Sequence, residues 1–443
     1  AFLGSLLYLY APYHAVQLYV RGAVGELWTL GFFPLIAWGI ITIHGKRYIL
    51  GIIVGSIGLA GVILSHTLLG YAIVVFVMAG FTMYWILLIL HKSCKGRTSF
   101  HFHFPLLVSQ CSLLLLGLGM SAFFWSPALV EMRYTDVAGQ VSATADFRQH
   151  FTCLPQLWES LWGFGGSIPG CIDGMSFRLG KVQLLFAAIG FFALIVYKRL
   201  TSSSVKLFWL GVIMTVVSVF FMLSISLRLW EFIYGFNYLQ YPWRFLSLAS
   251  FGLAIIGAYW LLFIRSNFIK GGVLVFAFAL LWFFHGKLFR PQYIINRLPT
   301  SYESKEELHW NSSHVSDEYL PPGFIKPKSL SELPKNIINR KDGMEITNII
   351  DNNTTVSMKV TMPQDDTVVL NRAYFPGWNY RVNGNGVTPQ IIAGLPSVPL
   401  VKGDNIITMV FSDTPVRIFA NILSLTSVIS IIYLLFRKSK LSV

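Results

Sequence analysis

The sequence predicts an α-helical polytopic membrane protein, a bundle of transmembrane helices followed by an extracytoplasmic all-β domain and one last transmembrane helix. Three observations predict it. Nine apolar segments are long enough, or nearly so, to cross a bilayer, basic residues gather in alternate short loops, and the hydrophobic period changes to two near residue 343. Only 12% of the 443 residues are charged and 54% are hydrophobic, whereas a soluble chain carries roughly 25% charge. A soluble enzyme and a disordered chain are therefore poor readings. The net charge of +14 has a particular distribution: loops 44–47, 91–103, 197–206, 265–270 and 437–443 hold 13 Lys or Arg and no acid, leaving 21 basic against 20 acidic residues elsewhere. That is the positive-inside pattern, and it removes the case for a nucleic-acid partner.

Residues 1–9 would reach only about 14 Å as a helix, half of a roughly 30 Å hydrocarbon core. With the first methionine at Met78, they read as the tail of a helix that begins before residue 1. Spans follow at 27–43, 49–65, 68–90, 104–126, 181–196, 207–227, 245–264, 271–285 and 418–436. The segments 181–196 and 271–285 are short, so their ends are expected to take in flanking residues such as Leu179 or Phe268. Gly51, Gly55, Gly58 and Gly61 put small residues at three- and four-residue spacing, the pattern of close helix packing. Placing Lys92, Lys95 and Arg97 in the cytoplasm puts 10–26, 127–180, 228–244 and 286–415 outside and the C-terminus inside.

The expected domains are a transmembrane bundle over 1–285, an extracytoplasmic connector over 286–342, a β-sandwich-like domain over 343–415, and the last helix with its basic tail over 416–443. In the β region Val356, Met358, Val360 and Met362 alternate with polar residues, and Asn383-Gly384-Asn385-Gly386 and Gly403-Asp404 supply turn chemistry for about seven strands.

Three outer clusters could carry chemistry. In Tyr10–Glu26, Tyr13, Gln17 and Arg21 share one helical face with His14 beside them, which predicts an amphipathic helix lying at the interface. Arg21 is a candidate phosphate ligand, because a guanidinium binds phosphate oxygens in pairs and stays charged; Glu26 could pair with it or act on a substrate hydroxyl. In Gln240–Phe245, Trp243 and Arg244 suit interfacial anchoring, or a groove where Trp243 stacks on a sugar or prenyl unit and Arg244 meets a phosphate. The glycine-rich stretch Trp162–Gly180 holds Asp173, a turn cap or a catalytic acid. Cys153 and Cys171 share this outer loop and are expected to form a disulfide. No CxxC or HExxH pattern occurs, so no metal site is predicted.

Tyr19-Val20-Arg21-Gly22-Ala23 with Glu26, the Trp162–Gly180 loop, Gln240–Phe245 and Phe375-Pro376-Gly377-Trp378 run in order along nearly the whole chain. Together they resemble a family of bacterial multi-pass membrane proteins labelled 6-pyruvoyl-tetrahydropterin-synthase-related and, more distantly, YfhO-type proteins. The resemblance implies a C-type glycosyltransferase architecture in a bacterial cytoplasmic membrane, a polyprenyl-phosphate sugar as donor, and a cell-envelope glycan or lipid as acceptor. It implies a catalytic acid in a loop before residue 1 and leaves a divalent metal ion open as cofactor. It also implies an acid where this sequence has Gln17. Tyr13, His14, Gln17, Arg21, Gln240, Trp243 and Arg244 are the expected substrate contacts, with Glu26 and Asp173 the remaining acids. The rival expectations are an envelope-lipid flippase and a non-catalytic scaffold; the near absence of ionisable residues inside the spans favours the enzyme over a transporter.

Overall fold

The computed structural model describes residues 1–94, 103–137, 139, 146–196, 202–291, 294–304, 306–311 and 318–437, apart from the side chains of 91–94, 202–203 and 309. Much of three predicted cytoplasmic loops, at 95–102, 197–201 and 438–443, lies outside the described residues. The chain divides into two compact units, one of residues 1–121, 144–294 and 427–443, the other of 122–143 and 295–426.

The helices in order are α1 (Phe2–Leu9), α2 (Pro12–Ala15), α3 (Val24–His44), α4 (Tyr48–Ser65), α5 (Thr67–Cys94), α6 (Phe104–Met120), α7 (Ala122–Glu131), α8 (Leu154–Trp158), α9 (Lys181–Val196), α10 (Ser202–Met222), α11 (Leu227–Phe232), α12 (Leu246–Tyr259), α13 (Asn267–His285) and α14 (Pro415–Phe436). Among the described residues, seven helical segments are long and apolar enough to cross a membrane: α3, α4, Thr67–Leu90 of α5, Ser204–Met222 of α10, Pro242–Leu262 around α12, α13 and α14. α6 and the stretch Ala122–Tyr134 pass the same test only together, as a broken span or a re-entrant loop, and α9 is a shorter apolar helix.

Two predicted spans end early. The 104–126 span breaks at Ser121, and the 207–227 span stops at Met222, where the Thr152 amide donates to the Met222 carbonyl at 2.9 Å and redirects the chain. α13 takes in Phe268 as expected, whereas α9 begins after Leu179.

In the first unit, α3 and α4 pack at backbone distance. A Cβ built on Gly39 would collide with the Cα of Gly55, and one on Gly58 would stand 2.8 Å from the Ile36 amide nitrogen, so the glycine face of α4 is the seam against α3. α1 is buried: Leu3 and Leu7 have no exposed surface and lie in one apolar core with Phe186, Leu253 and Ile256.

In the second unit, eight antiparallel strands form two sheets. β1 (Glu345–Asp351), β2 (Thr355–Met362), β4 (Trp378–Val382), β5 (Asn385–Val387) and β8 (Gly403–Phe411) pair in the order β1-β2-β8-β4-β5, and β3 (Asp366–Val369), β6 (Gln390–Ile392) and β7 (Leu395–Leu400) pair as β3-β7-β6. Val356, Met358, Val360 and Met362 all point into the core with Ile407, Met409, Val368 and Val398, as a period of two requires. Asn383 and Gly384 both take positive φ between β4 and β5, the conformation a two-residue hairpin turn demands. Phe375 and Phe411 flank the Arg417 guanidinium at 5.5 and 4.8 Å, and Arg417 donates to Glu131 at 2.7 Å and to the Pro376 carbonyl. The Phe375–Trp378 motif is thus part of a clasp on the first turn of α14.

Candidate functional site: a buried carboxylate between two arginines

The segment before α3 is not the interfacial amphipathic helix that its pattern predicts. α2 gives way to a π turn over Val16–Val20, and Ala11 to Gln17 are buried on every side. The wide turn keeps Tyr13, Gln17 and Arg21 together but aims them inward. Gly22 then takes a φ of +61°, which a side chain would resist, and reverses the chain so that the start of α3 returns beneath Arg21.

Glu26, in the first turn of α3, is the centre of this arrangement and is 2% exposed. Its Oε2 accepts from Gln17 Nε2 at 2.6 Å, Arg21 Nη1 at 2.6 Å and the Tyr13 hydroxyl at 3.4 Å. Its Oε1 accepts from Arg244 Nε at 3.0 Å. Gln17 completes the ring, its Oε1 taking a second bond from Arg21 Nη1 at 2.7 Å. An amide fits here where an acid would not: it donates to the carboxylate and accepts from the guanidinium.

Arg244 arrives from the other end of the chain. Gln240 has a φ of +62°, rare for a side-chain-bearing residue, and the kink aims the Leu239 carbonyl at Arg244 Nη1. The side-chain oxygen of Gln240 lies 3.5 Å from the same nitrogen. Trp243 is 2% exposed, with the Arg21 guanidinium 4.5 Å over its ring and Tyr241 stacked at 4.9 Å. It is therefore neither the interfacial anchor nor the open platform for a sugar or prenyl unit that the sequence offers as alternatives; it is a wall that positions Arg21. Arg244 is likewise a buried ion-pair partner rather than an interfacial anchor.

His66 is the member the sequence analysis missed. It occupies the junction between α4 and α5, and its Nε2 stands 3.6 Å from Glu26 Oε1. Its Nδ1 accepts from the Leu69 amide at 3.2 Å, so a neutral ring carries its proton on Nε2, facing the carboxylate. Burial first, and then the Arg244 charge, lower its pKa to about 4 against the pull of Glu26. Its only sequence signal is a lone histidine in a very short turn between two spans. His14 is buried beside Tyr8, and burial lowers it to about 4 as well. Burial and the Glu26 charge push the Tyr13 hydroxyl well above its ordinary range.

With His66 neutral at pH 7, the cluster holds two guanidinium groups against one carboxylate. Among the described residues, Arg21 Nε and Nη2 and Arg244 Nη2 have no hydrogen-bond partner, and the Arg21 side chain retains 18% of its surface. Arg21 is thus a partly open cation with unused donors, the chemistry that binding an anion requires.

The third cluster is structural in its first contacts. Asp173 Oδ1 accepts from the Ile168 amide at 2.8 Å and Oδ2 from Gln156 Nε2, which holds the glycine-rich loop closed. Cys153 and Cys171 are joined by a disulfide across the same loop. Phe177 brings the loop to the first two clusters, its ring 5.8 Å from Trp243. Among the described residues, no three His, Cys, Asp or Glu side chains converge as metal ligands, so no residue here is assigned to a divalent ion. No family model, curated protein or solved structure matches the chain.

Proposed function

We propose that this protein binds the phosphate of a polyprenyl-phosphate sugar at Arg21 and Arg244 and transfers the sugar to a cell-envelope glycan or lipid, as a membrane glycosyltransferase of C-type architecture. One observation carries the reading: two guanidinium groups share a single buried carboxylate and leave three N–H-bearing nitrogens unused. In the transfer, the bond from the anomeric carbon to the phosphate oxygen breaks and its electron pair passes to the phosphate. The acceptor hydroxyl oxygen bonds to that carbon and loses its proton to a base. The growing negative charge falls on the phosphate, where fixed guanidinium groups stabilise it best. Glu26 and Asp173 both have their oxygens committed to internal donors, so neither is assigned as the base. The alternation of basic loops supports an outer-face position for the cluster, where lipid-linked sugars would meet it, and the family resemblance suggests the same donor.

The test is turnover of a panel of polyprenyl-phosphate sugars by the purified protein, with Arg21→Gln and Arg244→Gln beside it. Phosphate-stabilising donors contribute about 10²–10³ in kcat, and a loss of that size in the Arg21 variant is expected. Movement of the lipid across reconstituted vesicles without turnover would replace the enzyme with a flippase. Function that survives both substitutions in folded protein would favour a scaffold.

A further inference from the structure

A concavity lies elsewhere in the first unit, an open cavity of about 440 Å³ lined by Phe147, Arg148, Glu231, Tyr234, Asn237 and Tyr238 among others. Its lining carries one base and one acid, Arg148 and Glu231, unlike the cationic excess of the Glu26 cluster. Arg148 Nε and Nη2 donate to Glu231 Oε1 at 3.2 and 2.9 Å, and Nη1 donates to Asp146 Oδ1 at 3.3 Å, so two acids surround one base. The cavity therefore offers a phosphate no uncompensated cation. The Asn237 amide and the Tyr238 hydroxyl have no partner among the described residues, and both line the opening. Planar amide, carboxylate and guanidinium groups beside tyrosine rings suit the paired hydroxyls and apolar face of a neutral sugar ring.

The cavity is also linked to the phosphate site through the chain. Phe147 lies three residues before His150, whose ring meets Tyr241 at 4.8 Å, and Tyr238 lies three residues before Tyr241 itself. Tyr241 in turn carries the Arg244 guanidinium 5.1 Å over its ring. We infer that this cavity is the subsite for a neutral saccharide, the acceptor in the transfer, with Asn237, Tyr238 and the Arg148–Glu231 pair as its polar contacts. The inference rests on the transferase reading for the word acceptor, while saccharide binding itself stands apart from it.

Saturation-transfer NMR on the purified full chain, in a detergent without a sugar headgroup, separates the two. The probes are methyl α-mannoside and the disaccharide of N-acetylglucosamine, with inorganic phosphate followed in parallel by phosphorus-31 line broadening. Transfer to at least one glycoside is expected, at least ten-fold weaker binding in Asn237→Ala and in Tyr238→Phe, and no change in Arg21→Gln. Both pocket side chains reach the surface, so the variants keep the fold, and an unchanged melting temperature verifies it. No transfer to either glycoside, or glycoside binding that both pocket variants retain, overturns the assignment, as does phosphate binding that Asn237→Ala abolishes. Glycoside binding without turnover of any lipid-linked donor would leave the saccharide site standing and remove the transferase reading.

Discussion

Glu26 and Arg244 are 218 positions apart in sequence and are joined by a 3.0 Å ion pair with almost no solvent on either side chain. The pair ties the start of α3 to the entry of α12, and Arg21 closes the same carboxylate from a third element. Removing one member of such a group leaves the others charged and buried, which costs about 3–5 kcal/mol. Glu26→Ala is therefore expected to lower the unfolding midpoint in detergent far more than Gln17→Ala. Phosphate offers a replacement anion, so millimolar phosphate should raise the midpoint of Glu26→Ala by more than that of the unaltered protein. Equal shifts in the two proteins would show that the arginines do not take the anion.

Acid should weaken the fold earlier than its carboxylates alone would dictate. His14 and His66 have pKa values near 4 in the folded protein, against about 6.5 for an exposed histidine. The unfolded chain thus binds more protons between those values, and stability is full above pH 6.5 and falls as pH drops from 6.5 towards 4. Each histidine contributes a factor of up to roughly ten per pH unit to the folding equilibrium in that window. Thermal unfolding across pH 4–8 should flatten in His66→Gln. A slope unchanged by the substitution would mean that His66 is charged in the folded protein.

Much of the fold was legible because its signals are local. Period-two alternation marks β2, a run of apolar residues marks each span, and four small residues mark the seam of α4. The site was legible in its parts: Tyr13, Gln17, Arg21, Glu26 and Arg244 all converge. Their inward direction was not, because a helical wheel at 100° per residue assumes an α-helix, and a π turn over Val16–Val20 changes the angle. His66 could not be found from periodicity at all, since its role comes from the packing of α4 and α5 beside Glu26. Trp243 was misjudged for the same reason: a tryptophan at the mouth of a span has the same sequence pattern whether its ring faces lipid or lies under an arginine.

The seam between α3 and α4 makes a paired prediction. Gly39→Ala would push a methyl into the Cα of Gly55, a backbone clash that neither helix can relieve by rotating a side chain, whereas Gly31 on the same helix has nothing within 4 Å of its built Cβ. Overpacking of this kind costs about 1–3 kcal/mol, so Gly39→Ala should lower the unfolding midpoint while Gly31→Ala holds or raises it. Similar midpoints for the two variants would mean that the helices do not meet at backbone distance.

The Cys153–Cys171 bond closes a loop that Asp173 and Gln156 also hold, so its loss should loosen that loop without dismantling the bundle. The two cysteines are 18 positions apart, and cross-linking a loop of about that size contributes roughly 3 kcal/mol by restricting the unfolded chain. Alkylation without reduction should leave both cysteines unmodified, whereas reduction beforehand should make both reactive. Two added alkyl groups at 153 and 171 before reduction would show that the bond is absent. The Cys153→Ser, Cys171→Ser double variant should unfold at lower temperature yet bind phosphate as before, because Arg21 and Arg244 are fixed by Glu26 and not by the loop. Loss of phosphate binding in that variant would assign the glycine-rich loop, through Phe177 and Trp243, a direct part in holding Arg21 in place.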